Sequence, residues 1–278
     1  MQENADTYYL IIEAKKTPAH YFRELYRYKE LFLFLAWRDI LVRYKQAAFG
    51  IAWALFRPLL SMAVFAFIFG NIAKLPSENI SYPLFVLAGV IPWLFISNSV
   101  VDTCPSLVNN THLISKIYFP RVLIPTAQTT VTLVDFAVSA ALMLVVGAFT
   151  GSFHWLTLLT LPFWIVLMVC FSVGLSLWLS ALTVRYRDFR ILVPFFVQFG
   201  MFVSPVGYGT AVVPEKWILL YSLNPAVGII DGFRWAFFGI SHPAMGLSIG
   251  CSIAITLCIL LSGFAYFRKT ESTFVDTI

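Results

Sequence analysis

The sequence predicts an all-α fold embedded in a membrane, and three observations carry that expectation. Hydrophobic residues make up 59% of the 278 and charged residues 12%, where a soluble domain carries about 25% charge. Mean hydropathy is +0.81, so the chain holds more apolar surface than it can hide within itself, and lipid must be its solvent. The apolar residues also fall into runs of about 20, the length a helix needs to cross a hydrocarbon core of about 30 Å.

Taken in order, residues 1–19 mix charges with isolated aromatics and read as a cytosolic tail. Over 20–45 the pattern turns amphipathic. Leu33, Trp37, Ile40, Leu41 and Tyr44 recur at helical spacing, with Arg23, Arg27, Glu30, Arg38 and Lys45 largely elsewhere. That stretch is too charged to span and suits a basic helix lying in the membrane interface; a coiled-coil partner helix is the alternative. Six spans follow, at about 49–72, 82–101, 122–149, 155–184, 191–208 and 246–267.

Two charges interrupt the apolar runs. Arg57 can reach back to the cytosolic headgroups or face a watery cavity. Asp135, near the middle of the third span, must face the bundle or a pore, and a hydrogen-bonded link to Ser or Thr on a neighbouring helix is the expected use. The four cysteines have no CxxC spacing, so metal and disulfide chemistry lack support. His20, His112, His154 and His242 each fall near a span end and read as solvated interface residues.

The region 209–244 holds two short apolar pieces broken at Asn224-Pro225, since proline lacks an N–H and disfavours a helical residue before it. Charge decides its course. With six spans, fifteen of the 19 Lys and Arg residues lie on the inner side and only Lys74, Lys216 and Arg234 outside, with Arg57 unassigned. A further crossing would move Arg268 and Lys269 outside, so 209–244 is expected to be an outer re-entrant or interfacial helical hairpin. Asp231 and Arg234, three apart, are expected to pair with each other. Trp217, Asn224, Pro225, Asp231 and Arg234 are its candidate outer-gate residues.

The polar turn between spans two and three runs Asn109-Asn110-Thr111-His112-Leu113-Ile114-Ser115-Lys116-Ile117-Tyr118-Phe119-Pro120-Arg121. It reads as a short helix capped by Asn109 or Asn110, with Leu113, Ile117 and Tyr118 on one face and Lys116 near its C-terminal end. The run Asn-Asn-x-x-Leu-Ile-x-Lys-x-x-Phe-Pro-Arg resembles the permease subunit of ABC-2 type polysaccharide exporters, closest to O-antigen export permeases, with capsule and teichoic-acid permeases as relatives. The Arg185-Tyr186-Arg187-Asp188 turn is similar to a basic-aromatic-acidic turn of that family.

The resemblance implies a single transmembrane domain that homodimerises in the bacterial inner membrane with both termini cytosolic. It implies two copies of a separate ATPase that hold ATP and Mg, no cofactor in this chain, and a lipid-linked polysaccharide as cargo; nucleic acid has no place in it. The ATPase is expected to grip 20–45 and 109–121, which makes Arg38, Asp39, Arg43, Tyr44, Asn110, Leu113, Lys116, Phe119, Arg121, Arg187 and Asp188 the coupling candidates. Phe195, Phe199 and Phe202 form an aromatic stripe, and Trp53 and Phe56 flank the first span's cytosolic mouth. Such a stripe fits lipid or a neighbouring helix equally well; the resemblance assigns it to a channel in which sugar rings slide on aromatic faces.

Enzyme readings find little support. No Gly-x-x-x-x-Gly-Lys-Ser/Thr loop, Gly-x-Ser-x-Gly elbow or His-Glu-x-x-His pair occurs. The alternatives are an ABC-2 exporter of small hydrophobic compounds and an integral-membrane glycan polymerase or acyltransferase. A transferase calls for clustered acids, histidines or arginines in the outer loops, which here hold few.

Overall fold

The computed structural model describes residues 18–45, 50–78 and 80–274, and every regular element among them is helical. Positions 1–17 of the expected tail and the start of the first span at Phe49 lie outside the described residues.

The expected interface helix is two helices, α1 (Pro18–Arg27) and α2 (Lys29–Lys45), with Tyr28 between them. The packed side of α2 is not the expected stripe. Leu35 and Ala36 are buried, whereas Leu33, Trp37 and Leu41 stand exposed. Leu31, Phe32 and Leu35 complete a second apolar face that the charged positions had obscured, and this face docks on the bundle.

Helix α3 (Ala52–Phe65) runs on into a π-helical turn over Ala66–Ile72. Next come α4 (Tyr82–Thr103), the short α5 (Ser106–Asn109) and α6 (Thr111–Lys116), and α7 (Leu123–Thr150). The expected fourth span divides into a single turn, α8 (Trp155–Leu158), and α9 (Leu161–Arg185). Helix α10 (Phe189–Val203) stops five residues short of the expected Tyr208. Helices α11 (Glu215–Ser222), α12 (Pro225–Phe238) and α13 (Met245–Thr270) complete the chain, with a 3-10 turn at Glu271–Thr273.

Five of these segments are long and apolar enough to cross a membrane: Ala52–Ile72, Tyr82–Thr103, Leu123–Thr150, Leu161–Arg185 and Met245–Thr273. At 15 residues, α10 reaches only about 22 Å.

Packing forms two centres. One surrounds α4 and α12 with α7 and α9 (Phe85, Ile91, Phe136, Met168, Phe233, Phe237); the other, at the opposite end, joins α1 and α2 to α7, α9 and α13 (Leu35, Leu107, Ile124, Phe267, Phe274). In lipid, apolar contact alone does not hold helices together, and small residues that let backbones approach matter more. A Cβ on Gly174 of α9 would lie 2.8 Å from the Leu260 Cα, and one on Gly263 of α13 would lie 2.6 Å from the Gly174 carbonyl. Hydroxyls add links across helices: Thr103 donates to Ser176 at 2.7 Å, and the Gly228 N–H donates to Ser252 at 3.1 Å.

Candidate functional site

Three arrangements place the polar residues that the sequence singled out. At the end carrying α2, Arg43 lies 2.9 Å from Asp102 of α4 and 2.8 Å from Asp135 of α7. The neighbouring Tyr44 hydroxyl donates to Asp135 as well. Burial first, and then the bond to Asp135, push the Tyr44 phenol above its ordinary value, so it remains a donor. The expected Ser or Thr partner of Asp135 is therefore replaced by an arginine and a tyrosine from α2. A carboxylate at membrane depth is stabilised far more by a guanidinium than by a hydroxyl.

Arg38 pairs with Asp39 at 2.7 Å and donates to the Asn110 amide oxygen at 3.0 Å, tying α2 to the turn before α6. The expected cap is absent at that turn. The Asn110 side chain turns back to donate to the Ser106 carbonyl at 2.9 Å instead of receiving a helix N–H. On α6 itself, Leu113 is half-buried and Ile114 buried, while Ile117 and Tyr118 are exposed rather than packed with Leu113. The chain turns extended at Ile117, which swings both away. Phe119 is buried and Lys116 exposed.

Arg121 is anchored from the far end of the chain. Its backbone N–H donates to the Glu271 carboxylate at 2.6 Å, its guanidinium donates to the Glu271 carbonyl, and Tyr21 donates to the same carboxylate at 3.1 Å. Burial and the nearby Glu271 raise the Tyr21 phenol above its usual value. Arg187 and Asp188 stand exposed before α10.

At the opposite end, 13 of the 14 residues of α12 are buried, so it is a core helix wedged among α4, α9 and α13. Asn224 caps it by accepting from the Ala226 N–H at 3.1 Å, Pro225 opens it, and Gly239 at φ +71° closes it. Asp231 and Arg234 have separate partners rather than each other. Asp231 lies 2.8 and 2.9 Å from the Thr210 hydroxyl and 3.0 Å from His242 Nε2, which makes His242 a buried partner and not the solvated residue expected. Arg234 donates to the carbonyls of Tyr208 (2.9 Å), Val206 (3.1 Å) and Phe85 (3.4 Å), and stacks 3.8 Å from the Phe85 ring. In segment 204–210, where α10 ends and backbone groups lose their helical partners, the Val206 and Tyr208 carbonyls accept from Arg234 of α12 and the Gly207 carbonyl from the Tyr82 hydroxyl of α4. Trp217, by contrast, is exposed on α11.

The aromatic candidates are all partly exposed. Phe195, Phe199 and Phe202 are 54%, 55% and 61% exposed and face away from their own bundle, with Phe195 and Phe199 at 4.7 Å. Trp53 and Phe56 stack at 5.6 Å on α3, Phe56 facing outward and Trp53 also lining a cavity against α4 and α7. Among the buried residues of α3 and α10 are only Ala54, Pro58 and Val193. Both helices pack on α4.

Sequence reasoning missed Asp102, Tyr21, Glu271 and Thr210. Asp102 carried a readable signal, an acid at the end of an otherwise apolar run. Glu271 follows the basic pair after the last span, but nothing local marks it as the partner of Arg121, 150 residues away.

A helical bundle with five segments long and apolar enough to cross a membrane is that of an integral membrane protein, and the chain belongs to the ABC-2 type transporter family, whose profile matches residues 30–238. It is similar over nearly its whole length to the O-antigen export system permease protein RfbA of Myxococcus xanthus, 26% identical over 263 residues covering 92% of this chain and 98% of the relative. The O-antigen export system permease protein RfbA of Klebsiella pneumoniae is 27% identical over 90% of this chain and 95% of its own. The polysialic acid transport protein KpsM of Escherichia coli is 25% identical over 86% and 93%.

Proposed function

We propose that this chain is the channel-forming permease subunit of an ATP-driven exporter that carries a lipid-linked, O-antigen-like polysaccharide from the cytosol across the bacterial inner membrane. The observation that carries this reading is the similarity, end to end, to permeases named for O-antigen and polysialic acid transport. The chain has no phosphate-binding loop of its own, so ATP and Mg belong to a separate ATPase, taken here as two copies on a permease homodimer. The outward-facing aromatics of α3 and α10 favour the dimer, because a second copy closes them into a shared tube.

In this reading α10 is a sixth, short crossing, and the end carrying α1, α2 and α6 is cytosolic. The ATPase grips α2 through Arg38, Asp39, Arg43 and Tyr44. It also touches Asn110, α6 at Leu113 and Lys116, and the Arg187-Asp188 turn, while the buried Phe119 and Arg121, tied to Glu271, hold that turn in place behind the contact. Segment 209–244 is the outer hairpin, with α12 its fixed arm and α11, bearing Trp217, the arm that moves as an outer gate.

Deletion of the chain tests this function. Glycan is expected to accumulate in the cytosol and to vanish from the cell surface, with restoration by the intact chain. Unchanged surface glycan, combined with new sensitivity to small hydrophobic compounds, would favour the drug-exporter alternative.

A further inference from the structure

Glu271, directly after α13, holds together elements that the sequence separates widely. Its carboxylate accepts from the Arg121 N–H at 2.6 Å and from the Tyr21 hydroxyl at 3.1 Å, and its carbonyl accepts from the Arg121 guanidinium. Rings close around these bonds. Phe264 meets the Tyr21 ring edge-on at 5.7 Å, the Arg268 guanidinium lies 4.7 Å from the centroid of the same ring, and the buried Phe274 packs on Phe267 at 5.3 Å. Arg121 ends the 109–121 turn and Tyr21 belongs to α1. The inner end of α13 is thus fastened to both elements at the expected ATPase contact.

The outer end of α13 is fastened to α12. Ser252 accepts from the Gly228 N–H at 3.1 Å and donates to the Pro225 carbonyl at 2.9 Å. A Cβ on Gly228 would lie 2.5 Å from the Ser248 carbonyl, so the two backbones touch. Helix α11 also packs on α13.

Between these ends α13 has the mechanics of a lever. Its 26 residues reach about 39 Å. It contains no proline to bend it, whereas α3, α4 and α10 have Pro58, Pro92 and Pro194 inside. Its closest approach to α9 is at Leu260 and Gly263, against Gly174. No side chain intervenes there, which leaves a point on which one helix can rock against the other. That pivot stands roughly 12–17 Å along the helix from Glu271 on one side and from Ser252 on the other.

From these contacts we propose that α13 is a lever and that Glu271 is its positioning residue. Glu271 takes up a displacement of the 109–121 turn, α13 rocks on Gly174, and Ser252 delivers the motion to α12. Helix α12 stays fixed to α13, and α11 opens as its seat on α13 shifts. The inference rests on the proposed export function and deepens it, by giving the route from the ATPase contact to the outer gate. Distant sites couple through stiff elements that both of them bias.

The test uses the purified complex of this chain with its ATPase in lipid nanodiscs, with Glu215→Cys on α11 as the reporter. Maleimide labelling above that of the chain without this substitution is expected to change rate about fivefold or more between ADP and ATP with vanadate. Glu271→Ala is expected to abolish that change, and export, while the complex still hydrolyses ATP. Glu271→Gln is expected to restore both, because its amide oxygen can accept from the same N–H and hydroxyl. Ser252→Ala is expected to abolish the change with the ties of Glu271 intact.

A full response in Glu271→Ala, folded with its ATPase, would overturn the lever, and so would no response in the intact complex. A response lost in Glu271→Ala and kept in Ser252→Ala would overturn it too, by sending the motion through α7, which starts at Leu123. No recovery by Glu271→Gln would overturn the positioning role. Ser252→Ala decides alone where Glu271→Ala fails to assemble. Lever and function fail separately in cells: normal surface glycan with Glu271→Ala and Ser252→Ala refutes the lever alone, whereas surface glycan that does not depend on the intact chain refutes the export function.

Discussion

The Arg43 guanidinium lies 2.8 Å from the carboxylate of Asp135, joining the last turn of α2 to the middle of the apolar helix α7. The same guanidinium holds Asp102 at 2.9 Å, so any displacement of α2 is felt at once by α4 and α7. Side chains in this network are 19–33% exposed, which screens them less than surface pairs.

Arg43→Ala and Asp135→Ala, made singly and together, measure that link. A coupling of about 1–3 kcal/mol is expected from thermal unfolding of the purified complex. The single variants are expected to hydrolyse ATP while exporting little glycan. Additive effects would make the pair a bystander.

The exposed face of α6 gives a cleaner probe of ATPase contact than Arg121. Lys116→Glu is expected to uncouple ATP hydrolysis from export with membrane insertion intact. Arg121→Glu is expected to lower stability too, because it breaks the ties to Glu271. Normal export by Lys116→Glu at normal protein levels would remove this turn from the mechanism.

Arg234 holds the break after α10. Arg234→Met would leave the carbonyls of Val206 and Tyr208 short of a donor inside the bundle, at a cost on the order of 3–5 kcal/mol. The expected outcome is a large fall in melting temperature with little recovery by Arg234→Lys, whose ammonium lacks the planar fork. A melting temperature near that of the intact protein would show that water reaches those carbonyls.

Gly174 and Gly263 set how close α9 and α13 come. Gly174→Val pushes a side chain into the Leu260 backbone, which cannot rotate away, and is expected to cost about 1–3 kcal/mol or more. Poor recovery of folded protein in detergent is the readout, with Gly250→Val as control because nothing lies within 4 Å of a Cβ there.

Topology is testable by labelling. A cysteine replacing Ser77 or Glu215 is expected to react with an impermeant external reagent, and one replacing Ser115 or Asp188 is not. External labelling at position 188 would overturn α10 as a crossing. For the gate, cysteines replacing Trp217 and, on the partner copy, Ile72 are expected to cross-link and block export reversibly; both native side chains are exposed.

What the sequence determined by itself was what length and local chemistry control. Runs of 20 apolar residues mark spans because a hydrocarbon core demands that length, and Asn224-Pro225 marks a helix start because the cap and the missing N–H act within one turn. The family was legible in the turn at 109–121 for a similar reason: its motif is contiguous. Partnerships were not legible. Asp231 and Arg234 sit three apart, yet Asp231 finds Thr210 and His242 while Arg234 finds two carbonyls of a broken segment and one of α4, since unpaired backbone groups outbid a neighbouring side chain. Arg43 to Asp135 and Arg121 to Glu271 span 92 and 150 residues, and which charges meet across such distances depends on how the helices stack. The docking face of α2 was hidden because both its faces are apolar, and only packing on α7 selected the one that is buried. Local periodicity places residues on a helix, and tertiary packing alone chooses their partners.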